Sequence, residues 1–215
     1  MKILALADVH GNMNASYKAR EWIEAHDVEL VVIAGDITHF GPAEWAEEFV
    51  RSIAGFGVKV LGVPGNCDPP EVSDAIEKGG GISLHERRID LEGISFAGVG
   101  GSNPTPFPTL YERQDKELAG AVEHLMNDLD VFVSHAPPKG RNDKAMFGGH
   151  VGSRELSDII GRWPPRMVIT GHIHEARGIL QEERTVFMNP GKAGSGKAGL
   201  VEICRGEERP RAVLL

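Results

Sequence analysis

Five short apolar runs in this chain each end in residues that can hold a metal ion. KILALA (2–7) runs into Asp8-Val9-His10, and LVVIA (30–34) runs into Gly35-Asp36. VKVLGVP (58–64) leads to Gly65-Asn66, and DVFVS (130–134) leads to His135. RMVIT (166–170) leads to Gly171-His172-Ile173-His174. The set is two Asp, one Asn and four His, with no thiolate. Imidazole with carboxylate suits Mn²⁺, Fe²⁺, Co²⁺ or Zn²⁺ better than Ca²⁺ or Mg²⁺. Seven donors exceed one tetrahedral site. Two cations sharing a bridging carboxylate would use them all, and such pairs, ~3.5–4 Å apart, can hold an in-line displacement at phosphorus. A water between them loses a proton near neutral pH and becomes a nucleophile.

These residues need elements that bring them together. The runs at 2–8, 30–36, 58–66, 130–135 and 166–172 read as buried strands. Helical spacing predicts helices over 15–26, 42–53, 70–78, 114–127 and 153–161, with Ser153 as an N-cap. Residues 82–90 and 93–100 read as an antiparallel pair. Three prolines make 103–108 a loop, and 136–152 is a long Gly/Pro-rich loop of the kind that is usually functional. The segments after 174 read as a β meander. This βα alternation followed by strands points to an α/β protein with two sheets and helices outside. Ligands in open α/β sheets bind beyond the carboxyl ends of strands. If the five strands share one sheet, the seven side chains converge on one edge.

Composition narrows the partners. The chain has 215 residues and a formal charge of −8, which argues against duplex nucleic acid and anionic membranes as partners. Two cysteines without a CxxC, and an N-terminal apolar run too short for a signal peptide, point to a cytoplasmic protein. A monomer or small homo-oligomer is expected. Each motif has a plainer explanation when taken alone. Asp8 and Asp36 could cap helices, and Asn66 could make an Asx turn. Lys139, Arg141 and Lys144 read as solvated loop charges, and Asp68-Pro69-Pro70 as a structural turn. His39 and His150 lie in or near the loops that carry the donors.

In order, DVH (8–10), GD (35–36), GNCD (65–68), SHAPP (134–138) and GHIH (171–174) resemble the calcineurin-like metallophosphoesterase family. The loop at 135–153 and NPG at 189–191 are most similar to its small cytosolic phosphodiesterase-like branch. The resemblance implies a four-layer αββα sandwich of two mixed β-sheets flanked by helices, as one domain over 1–215. It implies a dinuclear metal-dependent phosphoesterase, a phosphodiesterase rather than a monoesterase, that hydrolyses a small phosphate ester with a metal-bridging hydroxide. Asp8, His10 and His174 would hold the first metal and Asn66, His135 and His172 the second, with Asp36 between them. Two divalent transition-metal ions are implied, Mn first, with Fe, Zn, Co or Ni as alternatives. The expected catalytic residues are Asn66, Cys67 and, from its place three residues after Asp36, His39. Cys67 stands where the family usually has a histidine, and a thiol is a poorer acid for the leaving oxygen. His39 is the candidate to supply that proton. Family relatives also leave open a non-catalytic scaffold on the same fold and a metal-dependent nuclease.

Overall fold

A computed structural model describes residues 1–146 and 148–215. The elements run β1 (Lys2–Leu6), α1 (Asn14–His26), β2 (Leu30–Ala34), α2 (Ala43–Ala54), β3 (Lys59–Val63), α3 (Val72–Lys78), β4 (Ile82–Ser83), β5 (Arg87–Leu91) and β6 (Ile94–Val99). Then follow α4 (Asp115–Gly120), β7 (Val131–Ser134), α5 (Arg154–Arg162), β8 (Met167–Ile169), β9 (Gly178–Glu182), β10 (Thr185–Asn189), β11 (Gly199–Glu202) and β12 (Arg211–Leu214). They build two mixed six-stranded sheets. One has the order β12-β11-β1-β2-β3-β4 and the other β5-β6-β7-β8-β10-β9.

Side-chain alternation explains the layering. Successive strand residues point to opposite faces. Ile3 and Ala5 of β1 therefore face the second sheet, where they meet a core that includes Phe96, Val131, Val133, Met167 and Met188. Leu4 and Leu6 face outward onto Ala19, Ile23, Phe49 and Ile53 of α1 and α2. In the second sheet Phe132 and Val168 face outward onto Leu118, Leu156 and Ile160 of α4 and α5. Both faces of the central strands are covered, so their sequences read as continuous apolar runs. The result is the expected α/β sandwich of four layers, helix–sheet–sheet–helix.

Four details differ from the expectations. The five donor-bearing strands do not share one sheet. β1, β2 and β3 lie parallel in the first, while β7 and β8 lie parallel in the second. Residues 82–90 are not one strand. Ile82–Ser83 pairs with β3, Leu84 is buried between the sheets, and β5 begins in the other sheet. The chain turns there with Glu86 in the left-handed region at φ 55°. The helix expected over 114–127 stops at Gly120, and a short 3₁₀ turn follows at Glu123–Leu125; glycine inside a helix costs about 1 kcal/mol. The last strands are no simple meander. β9 and β10 remain in the second sheet, while β11 returns to pair antiparallel with β1. Ser153 caps α5, accepting a hydrogen bond from the Leu156 N–H at 3.0 Å.

Phe96 is fully buried between the sheets, whereas Phe107 is 81% exposed. Phe96→Ala should lower the unfolding free energy by about 3–5 kcal/mol. Phe107→Ala should change it by less than about 0.5 kcal/mol. Urea denaturation of the two variants measures both, and similar losses would contradict this placement of the core.

Candidate metal centre

The carboxyl ends of β1, β2 and β3 face those of β7 and β8 across the gap between the sheets. There the sequence-expected donors meet. His135 Nε2 lies 3.4 Å from Asp36 Oδ1 and 2.8 Å from Asn66 Oδ1. His10 Nε2 lies 3.6 Å from Asp36 Oδ2 and 3.2 Å from His174 Nε2. His174 Nε2 is 3.5 Å from Asp8 Oδ1. Asp36 thus faces His135 with one oxygen and His10 with the other. Among the described residues, three sets of ligand atoms lie mutually within 4.8 Å: Asp8 with His10 and His174, Asp8 with Asp36 and His135, and His10 with Asp36 and Cys67. His172 stands slightly back. Its ring centroid is 5.1 Å from that of His135, and its backbone N–H donates to Asp8 Oδ1 at 3.0 Å. His39 sits on the exposed rim, with Nδ1 3.4 Å from His10 Nδ1.

The backbone is bent to make this possible. Asp8, His10, Asp36 and His172 all have positive φ, from 48° to 70°. Such residues are uncommon outside glycine, and their clustering is typical of functional sites. The loops also approach very closely. A Cβ at Gly65 would lie 2.1 Å from both the N and the Oδ1 of Asp36. A Cβ at Gly35 would lie 2.4 Å from His135 Nδ1.

Buried Asp68 ties two of these loops together. One oxygen accepts from the backbone N–H and hydroxyl of Thr38 at 2.7 and 2.8 Å. The other accepts from the N–H groups of Ile37 and Gly65 at 3.0 and 2.7 Å. Asn66 is held similarly. Its Nδ2 donates to Thr109 Oγ1 at 3.0 Å, and Thr109 donates to Glu112 at 2.8 Å. The turn at 68–70 hid the first role, and nothing periodic marks Thr109 or Glu112. Other candidates are engaged elsewhere. Arg141 is tied to Glu182 and Ser157, and His150 is paired with Asp143 at 2.6 Å.

The donor set fits cations. His135 Nδ1 faces the Ala34 carbonyl at 2.9 Å, so Nδ1 carries a hydrogen. The Thr109 contact turns the Asn66 carbonyl oxygen toward His135, so His135 Nε2 faces two oxygens. Only a proton or a metal ion reconciles that contact. Asp8 Oδ2 is buried and has no hydrogen-bond partner among the described residues, a costly arrangement unless a cation takes it. The electrostatics agree. Burial opposes the charged form of His135, but Asp36 and then Asp8 outweigh it and raise the imidazole to about 9. Burial likewise opposes ionisation of Asp36, but His135 and His10 hold its carboxyl well below the usual range. Burial and the charge of His135 push His172 down to about 4, so it is neutral and able to ligate. Burial, with Asp36, pushes the Cys67 thiol up.

Comparisons with known proteins agree with this picture. The calcineurin-like phosphoesterase family matches residues 1–176. The uncharacterised protein MJ1162 of Methanocaldococcus jannaschii is 36% identical over 200 residues, covering 88% of each chain. TT1561 of Thermus thermophilus has the same fold, with a TM-score of 0.74 at 18% identity over 99% of this chain and 97% of that one. A solved archaeal phosphodiesterase aligns over the whole of both chains with a TM-score of 0.59 at 16% identity.

The proton at His135 and the carboxylate at Asp68 can each be tested. At pH 8 the imidazole is below its folded value of about 9 and is protonated. Metal binding should therefore release about one proton. Titration calorimetry in buffers of different ionisation heat measures this, and no release would contradict ligation by His135. Asp68→Asn sets amide hydrogens against N–H donors. It should weaken metal binding roughly 10–100-fold with the circular dichroism unchanged, and unaltered affinity would exclude this positioning role.

Proposed function

The chain belongs to the calcineurin-like phosphoesterase family, and from that premise we propose that it is a dinuclear metal-dependent phosphodiesterase acting on a small or exposed phosphate diester. The observation that carries the reading is Asp36, whose two oxygens face two different histidines, beside Asp8 with a buried oxygen that no described residue partners. In this reading Asp8, His10 and His174 hold one cation, Asn66, His135 and His172 hold the other, and Asp36 serves both. Mn²⁺ is the proposed native pair. Bound there, divalent cations would neutralise phosphoryl oxygens and lower the pKa of water.

This chain's own residues do the rest. The Ala34 carbonyl holds the His135 ring with Nε2 toward the site. Thr109 fixes which end of the Asn66 amide faces inward. The Cys67 thiol is neutral, because burial and neighbouring carboxylates oppose its ionisation. It is also too weak an acid to protonate a leaving alkoxide well. The exposed imidazole of His39 is the proposed proton source, delivering directly or through a water to the leaving oxygen. Among the described residues, no helix is long and apolar enough to cross a membrane.

The test is hydrolysis of bis(p-nitrophenyl) phosphate by the purified protein. Activity should require Mn²⁺ or a similar ion, vanish on chelation and return on re-addition. Asp36→Asn should abolish it and reduce the bound metal. Turnover that survives chelation would overturn the mechanism, and preference for p-nitrophenyl phosphate over the diester would overturn the assignment as a diesterase.

A further inference from the structure

Beside the metal centre lies a cleft of about 330 Å³. Its walls are mostly apolar, from Pro104, Pro106, Phe107, Ala145, Val151 and Ile173. Phe107 and Val151 are 81% and 42% exposed, which is unusual for residues with no covering element. Two donors of the centre, Asn66 and His172, form its inner end. The cleft and the metal centre are therefore one continuous space.

The loop that walls the cleft is also anchored to the centre. Thr109 lines the cleft and accepts from Asn66 Nδ2. The next residues return the contact, as the Tyr111 backbone N–H donates to the Asn66 carbonyl at 3.0 Å. Glu112 gathers the Thr105 and Thr109 hydroxyls at 2.7 and 2.8 Å and so staples the proline-rich loop into shape. A loop with three prolines and this many internal bonds is stiff, and a preformed apolar wall costs little ordering entropy when a ligand binds. Among the described residues, no lysine or arginine lines the cleft, so these walls offer no charge to a second phosphate.

We propose that this cleft is the subsite for an apolar ester substituent, so that the substrate is a phosphate ester carrying a hydrocarbon or aromatic group. The proposal rests on the phosphodiesterase reading above for its phosphate-binding end. The metal centre takes the phosphoryl group, and the arm esterified to it lies against Pro106, Phe107 and Val151. Burial of that arm supplies affinity at about fourfold per methylene removed from water.

The experiment uses the Mn²⁺-loaded protein and three monoester inhibitors: methyl, phenyl and n-hexyl phosphate. Each competes with bis(p-nitrophenyl) phosphate and is also titrated calorimetrically. Phenyl and hexyl phosphate should bind at least about tenfold more tightly than methyl phosphate, and the ratio between them tells an aromatic from an aliphatic arm. Val151→Ser, which adds no charge, should reduce that preference, read as the ratio to methyl phosphate binding in the same variant. Phe107→Ala, on an exposed side chain, provides a second variant and should reduce the preference. Equal binding of all three esters, or a preference untouched by both variants, would overturn the proposal. Absence of diester hydrolysis would instead overturn the phosphodiesterase reading, and calorimetry would still report on the cleft.

Discussion

The contact on which the site depends is the one between Asp36 and His135. These residues end strands of different sheets, and their side chains meet in the gap at 3.4 Å. The imidazole crosses further, with its other nitrogen on the Ala34 carbonyl of β2. The second sheet is thereby locked onto the first at the carboxyl edge. The contact leaves no room for a side chain at residue 35, where a Cβ would strike the imidazole itself. Glycine in the left-handed region, at φ 83°, solves both requirements at once.

That contact imposes an electrostatic demand on its surroundings. Asp8, Asp36 and Asp68 are all buried within the same few loops. Carboxylates do not leave water without compensation. Asp68 obtains it from four donors and becomes a structural clamp. Asp36 obtains part of it from imidazoles and from the Cys67 backbone N–H at 2.8 Å. Asp8 retains an oxygen without a partner among the described residues. The three carboxylates are chemically alike, so their neighbours alone decide which one closes a loop and which ones face a cation.

The layers were legible in the sequence because burial on both faces writes itself as uninterrupted apolar runs. The donors were legible because each directly follows such a run. What the sequence hid was which sheet each run joins. A buried strand carries the same pattern in either sheet, and the crossing at Leu84 and the return of β11 involve residues with no distinguishing chemistry. Asp68 was visible in the motif but looked like a turn residue, since its partners include backbone groups 30 and 31 positions away. Thr109 and Glu112 were invisible for a related reason: a hydroxyl and a carboxylate in a proline-rich loop have no periodicity, and only the fold brings them to Asn66.

Cys67 shows how far a local substitution is set by what surrounds it. Its backbone N–H is committed to Asp36, so the residue is needed at that place whatever its side chain. The side chain itself is buried against carboxylates that disfavour a thiolate. An imidazole in the same position would be drawn toward its charged form by those carboxylates, and could then hand over a proton. The thiol cannot, so under the proposed mechanism proton delivery moves outward from the buried floor to the exposed rim, where His39 stands against His10. Water reaches a rim group freely. In that proposal a water can relay the His39 proton to the leaving oxygen, and the buried floor is left to grip the phosphoryl group and its ester arm.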